Sequence, residues 1–247
     1  MRYFSYLVLL FMSATVCAQD LADYSAQYEI QMNGLQAGEL NQQLETLTDG
    51  LHRFRSATKA KGVVALFKRD TVKETSLWTL SQQQIKPRQY LYQRNGGKKD
   101  KYLRMDFDWR NRSVHIDDKV HPWDLEIENG TLEKHVYQVQ LRLDLLQNPK
   151  QKTFNYLIAD GGRLKHYQIK RLEQETITTP LGSINTVKFK RQRDRDSDKD
   201  RETTLWCAPE LNYLPVKLEH IEKDGTKFTA VLRHVEGISK SAFTPVE

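Results

Sequence analysis

The sequence predicts a mostly β fold with minor α: one large curved antiparallel sheet, or half-open barrel, with one main helix covering the concave face. Three observations carry this reading. Asn-Gly or Asp-Gly occurs six times, whereas random order of 26 Asn plus Asp and 12 Gly in 247 residues gives about one such pair. The segments between these pairs alternate apolar and polar residues with period two. One segment instead repeats its apolar residues at helical spacing.

The pairs are Asn33-Gly34, Asp49-Gly50, Asn95-Gly96, Asn129-Gly130, Asp160-Gly161 and Asp224-Gly225. Each supplies the positive φ that a tight hairpin turn requires, and their spread predicts successive hairpins. Tyr24, Ala26, Tyr28, Ile30 and Met32 share one face of a predicted strand. Leu103, Met105, Phe107 and Trp109 form another such face, as do Trp123, Leu125 and Ile127, and Phe228, Ala230 and Leu232. Leu132, Val136, Val139, Leu143 and Leu146 follow 4-3-4-3 spacing, which predicts a helix capped by Thr131 and stopped by Pro149. A shorter helix is expected around Val63–Lys68.

Residues 1–18 read as a cleaved signal peptide. Arg2 provides the positive start, Leu7–Met12 form a short apolar run, and Val16 and Ala18 fit the −3 and −1 positions of a cleavage site. Val16 stands before Cys17, where a small residue precedes a lipidated cysteine, and this argues against a lipoprotein. The expected product is a periplasmic protein with one β-rich domain over 19–247. Its net charge falls from +6 to +5 with the loss of Arg2. Cys207 is then the sole cysteine, so no internal disulfide can form, and its apolar neighbours suggest a buried thiol.

Several strings resemble a bacterial envelope family, domain of unknown function 3108. They include Lys59-Ala60-Lys61-Gly62, Glu74-x-Ser76-x-Trp78, Pro87-x-x-Tyr90, Phe107-Asp108-Trp109 and Ala159-Asp160-Gly161-Gly162. The clearest is Arg201-Glu202-Thr203-Thr204-Leu205-Trp206, continued by Ala208-Pro209-Glu210-Leu211 and Leu214-Pro215-Val216. The resemblance runs from about Tyr24 to Leu232. It implies a secreted, mostly β bacterial protein and supplies neither an activity nor a catalytic residue. The predicted curved sheet with a covering helix also resembles the periplasmic lipoprotein carriers, at the level of fold alone.

The chemistry-bearing motifs are sparse. No G-x-S-x-G elbow, H-E-x-x-H pair or P-loop is present. A metal-dependent or other hydrolase is therefore the weaker alternative, with His115, Asp117 and His121 as its local metal candidate. Those residues flank a predicted turn, where solvated side chains are the competing reading. Asp106 and Asp108 lie two apart on one strand, on the wet face beside Arg104 and Arg110, rather than across a cleft. The run Lys188–Glu202 interleaves seven basic with five acidic residues. That mixture argues for a solvated loop and against nucleic acid. Lys98, Lys99 and Lys101 form a basic cluster after the Asn95-Gly96-Gly97 turn.

Large aromatics populate the inward faces: Tyr24, Tyr28, Trp78, Phe107, Trp109, Trp123 and Trp206. They form either a dry interlocked core or the lining of a pocket for an acyl chain. The expected function is non-catalytic, without a cofactor: binding a lipid or other apolar envelope ligand in the curved sheet, or docking on an envelope partner. The alternative is a structural adaptor that sets basic hairpins on anionic envelope surfaces, whether an anionic membrane surface or an acidic protein partner.

Overall fold

The computed structural model describes residues 21–62, 65, 70–97, 99–192 and 201–245. The predicted signal peptide with Cys17, residue Lys98 and the middle of the charged run at 193–200 lie outside the described residues. So does most of the short helix expected around 63–68, of which Ala65 is described and helical.

The chain forms β1 (Tyr24–Met32), β2 (Leu35–Thr46), β3 (Leu51–Ala60), β4 (Thr71–Ser81), β5 (Gln84–Asn95), β6 (Lys101–Asp108), β7 (Ser113–Asp117) and β8 (Trp123–Glu126). Then come β9 (Leu132–Glu133), the helix α1 (Tyr137–Gln147), β10 (Thr153–Asp160), β11 (Arg163–Thr179), β12 (Gly182–Gln192), β13 (Glu202–Ala208), β14 (Leu214–Ile221) and β15 (Lys227–Glu236). Among the described residues these strands make one sheet in the order β8-β7-β6-β5-β4-β3-β2-β1-β15-β14-β13-β12-β11-β10-β9. Two meanders meet at the antiparallel β1–β15 pair, where Met32 faces Phe228. The β9–β10 pair is parallel.

The turn chemistry accounts for most of this topology. Asn33 and Gly34 take φ of 49° and 83°, the double positive pair of a tight hairpin. Five of the six Asn/Asp-Gly pairs lie between antiparallel neighbours. The sixth, Asn129-Gly130, instead joins β8 to β9 across the two ends of the strand order. The β4–β5 turn uses Gln82 and Gln83, at φ of 51° and 64°, and has no sequence signature.

The sheet curls until its ends meet. Residues 127–131 suffice to lead from β8 to β9, although these strands are at opposite ends of the order. Ala159 of β10 shares an apolar cluster with Tyr90, Met105, Phe107, Val114, Ile116 and Ile127 from the other end. The half-open barrel read from the sequence is thus closed by side-chain packing rather than by ladder hydrogen bonds.

Helix α1 departs from the expectation at its start and in its exposure. It begins at Tyr137, because Leu132 and Glu133 pair with Ile158 and Ala159 as β9. Thr131 does not cap it; the Thr131 hydroxyl accepts the Glu128 amide at 3.1 Å and closes the preceding turn. The buried residues are Tyr137, Val139, Gln140, Leu141, Arg142, Leu143 and Leu145, which surround the helix rather than forming one stripe. The reason is position: α1 lies inside the curl, so barrel wall faces it on most sides. Burying each of these leucines contributes about 2 kcal/mol.

Candidate functional site

The barrel interior holds a buried polar network built from three regions. Glu133 comes from β9, His135 from the link into α1, and Glu74, Ser76 and Tyr90 from β4 and β5. Ser76, Glu133 and His135 are 1%, 0% and 4% exposed. The Ser76 hydroxyl donates to Glu133 Oε1 at 2.6 Å and lies 2.8 Å from His135 Nδ1. Glu133 also accepts the His135 amide at 2.6 Å and the Val136 amide at 2.9 Å. These last two bonds satisfy amides at the entry to α1, a task the sequence reading gave to Thr131. Tyr90 donates its hydroxyl to Glu74, while Lys134 stands 4.5 Å over the Tyr92 ring.

Burial sets the ionisation of the network. It pushes the Glu133 carboxyl up to about 7, against the lowering effect of its hydrogen bonds from Ser76 and the backbone. It pushes His135 down to about 4, so the imidazole is neutral. Burial, with Glu74 beside it, holds the Tyr90 phenol far above the usual tyrosine range. With Ser76 donating to Glu133, the Nδ1 proton of His135 points at Ser76 Oγ. His135 Nε2 then has no hydrogen-bond partner among the described residues, and Phe54 stacks on the ring at 4.4 Å.

Serine, histidine and acid thus meet in the wrong order for acyl transfer. A nucleophile relay places imidazole between hydroxyl and carboxylate, so that the base takes the hydroxyl proton. Here the hydroxyl lies between the imidazole and the carboxylate, and all three are buried. The arrangement ties β4 to β9 and to the start of α1, and offers no oxygen to a substrate.

The candidate aromatics fall into three settings. Tyr24, Tyr28 and Trp78 belong to the main core around α1. The Arg142 guanidinium stacks 4.8 Å from the Tyr24 ring, Tyr28 donates to the Pro215 carbonyl at 3.0 Å, and Trp78 stacks on His52 at 4.2 Å. Phe107, Trp109 and Trp123 build the second cluster at the seam, where Trp109 donates to the Pro87 carbonyl at 2.7 Å. Trp206 corrects the inward assignment. Its cross-strand neighbours are Lys188 and Lys217, whose ammonium groups lie 5.4 and 4.2 Å from its ring, and its indole donates to Glu175 at 2.7 Å. Trp206 therefore takes the face opposite Leu205 and Cys207 and is buried there beneath charged side chains.

The remaining candidates are peripheral. His115 pairs with Asp124 at 2.9 Å, Asp117 accepts the Lys119 amide, and Asp118 accepts the amides of Val120 and His121. No three His, Cys, Asp or Glu side chains converge among the described residues, so His115, Asp117 and His121 do not form a metal cluster. Asp106 is bonded to Arg104 at 2.7 Å, and Asp108 caps the turn at Arg110 and Asn111. Lys99 and Lys101 are exposed at the start of β6. Cys207 is fully buried and its thiol is pushed up to about 12 by that burial. A solvent groove of about 380 Å³ follows the seam past Ile85, Gln140, Asp144 and Tyr156. There Asp144 accepts from Tyr156 at 2.6 Å and from Gln140 at 2.7 Å.

Sequence reasoning missed Glu133, His135 and Ser76. On a helix starting at Thr131, Glu133 and His135 fall on the two flanks of the apolar stripe rather than within it. No local signal marks them: Leu132 and Val136, four apart, keep the helical phase and enclose three consecutive polar residues, Glu133, Lys134 and His135.

The architecture defines a barrel-like protein formed from one meandering sheet. A crystal structure described as a β-barrel-like protein of domain of unknown function DUF1849 from Brucella abortus matches it with a TM-score of 0.55 at 10% identity, covering 89% of this chain and 98% of that one. The family model for proteins of unknown function DUF3108 matches residues 27–233, and the chain belongs to that family. A candidate lipoprotein from Parabacteroides distasonis aligns with a TM-score of 0.34 at 13% identity, over 87% of this chain and 96% of that one. A candidate exported protein with a YmcC-like fold from Bacteroides fragilis aligns with a TM-score of 0.35 at 10% identity, over 89% and 100%. These two alignments add nothing to the fold argument. No curated protein matches the sequence.

Proposed function

We propose that the protein is a non-catalytic docking protein of the bacterial cell envelope, exported by its first 18 residues and acting through its surface. The observation that carries this reading is α1: it fills the concave side of the sheet and is buried on most sides. A carrier needs its concave face free for an acyl chain, with the helix acting as a lid. Here Leu141, Leu143 and Leu145 occupy the space that a ligand would take, among Tyr24, Tyr28 and Phe154. The buried network of Ser76, Glu133 and His135 supports a scaffold role, since it fixes the barrel without offering a reacting atom.

The test is mass spectrometry of small molecules extracted from natively purified protein. Docking by a packed scaffold gives no acyl lipid in amounts comparable to the protein. One lipid per chain overturns the docking reading in favour of a ligand carrier.

A further inference from the structure

The geometry points to one end of the barrel as a docking face for the surface of an anionic bilayer. This rests on the docking reading and names its partner. Antiparallel neighbours send alternate turns to opposite ends. The register Met32–Phe228, Thr71–Asn95 and Glu202–Ile221 gathers the β1–β2, β3–β4, β5–β6, β12–β13 and β14–β15 connections at one end. The β7–β8 and β10–β11 turns join them, because Gly162 abuts the Trp123 indole.

Charge divides unevenly between the two ends. Among described residues at this end (33–39, 59–62, 70, 94–97, 99–102, 117–123, 160–165, 190–192, 201–202 and 221–228) thirteen Lys and Arg stand with nine Asp and Glu. At the other end (21–23, 45–52, 82–86, 108–113, 126–131, 147–153, 178–183, 209–213 and 236–245) six stand with eight. Basic residues of turns far apart in the sequence are therefore gathered at one end of the fold. Lys99, Lys101, Lys119 and Arg163 pair with no carboxylate among the described residues. Asp117 and Asp118 instead turn to backbone amides of their own loop. Long cationic side chains can thus extend past short acidic ones.

The same end carries the two most exposed large apolar side chains of the described residues, Leu35 at 74% and Val120 at 68%. Each sits at a hairpin tip, and Val120 adjoins Lys119, which lies 4.3 Å over the Tyr102 ring. Aliphatic tips among cations suit the boundary between headgroups and acyl chains, and a broad rim meets a plane at several turns at once.

Cosedimentation of the purified protein with phosphatidylglycerol–phosphatidylcholine vesicles, against phosphatidylcholine alone and over rising salt, tests this. The expected result is binding to the anionic vesicles only, weakened by salt. Affinity falls about fivefold for each of Lys99→Gln and Lys101→Gln, and about tenfold for Val120→Asp. Equal binding to both vesicle types overturns the proposal, as does a Lys99→Gln/Lys101→Gln/Lys119→Gln variant that binds like the parent. No vesicle binding at low salt also overturns it and leaves an acidic protein as the partner. Failure here leaves the packed interior intact, whereas a lipid found inside the barrel leaves vesicle binding at the rim intact.

Discussion

Ser76 Oγ of β4 donates to Glu133 Oε1 of β9 at 2.6 Å, although the two strands lie far apart in the sheet order. The bond spans the barrel interior and brings a buried carboxylic acid into the stability of the fold. Glu133 titrates at about 7 in the folded chain against an ordinary 4.5, so the folded state holds this proton more tightly. Its contribution is complete below pH 4.5 and is lost as the pH rises through 7, about 3 kcal/mol in all. His135 runs the other way, at about 4 against an ordinary 6.5. Its contribution is complete above pH 6.5 and is lost as the pH falls through 4, again about 3 kcal/mol.

Between pH 4.5 and 6.5 the two slopes oppose each other, and together they are nearly flat. Glu133→Gln removes one slope and exposes the other. Relative to the parent, the variant should gain about 3 kcal/mol between pH below 4.5 and pH above 7. Urea unfolding of both proteins at the two extremes measures this gap. A gap that does not change with pH contradicts a buried, titrating Glu133.

Cys207 should resist thiol reagents in the folded protein. Its sulfur is buried and its thiol is pushed up to about 12, so little thiolate forms at neutral pH. Labelling by a maleimide across a denaturant series should follow the global unfolding transition. Fast labelling in water would contradict the burial of this residue.

Gly162 should be less replaceable than Gly34, although both have positive φ. A Cβ at Gly162 would lie 2.9 Å from Trp123 Nε1, whereas one at Gly34 meets nothing within 4 Å. Gly34→Ala should cost about 1 kcal/mol from backbone strain alone. Gly162→Ala should cost about 1–3 kcal/mol more through overpacking at the seam. Thermal unfolding, with tryptophan fluorescence to follow Trp123, separates the two. Equal losses would mean that the ends of the sheet do not meet there.

Much of this fold was legible because its turns are local. Asn33-Gly34 specifies a hairpin from two residues, and the alternation of Tyr24, Ala26 and Tyr28 fixes which face goes in. Other elements depend on distant partners. Leu132 and Glu133 become a strand only because β10 offers its edge, which shortened the expected helix and moved Glu133 to the interior. Gln82 and Gln83 turn the chain without any turn signature. Trp206 is buried on the outer face by Lys188 and Lys217, so its apolar character did not reveal its side. The candidate site was less legible than the fold, since Ser76, Glu133 and His135 are ordinary polar residues until β4, β9 and the link into α1 bring them together.

Truncation of α1 tests its place as core. Leu141→Ala or Leu145→Ala should each destabilise the fold by about 2–5 kcal/mol, as at well-packed sites with little room to collapse. Chemical denaturation measures this, and losses below about 1 kcal/mol would argue for a loosely seated helix.

Hydrogen exchange of the α1 amides tests the central claim, that the helix is a plug built into the barrel rather than a lid over a cavity. The amides of Leu141–Leu145 should exchange only through global unfolding, with the same free energy and denaturant dependence as the most protected strand amides. Exchange of α1 through a separate, lower-energy opening, while the strands remain protected, would contradict the account and restore a carrier whose helix moves aside.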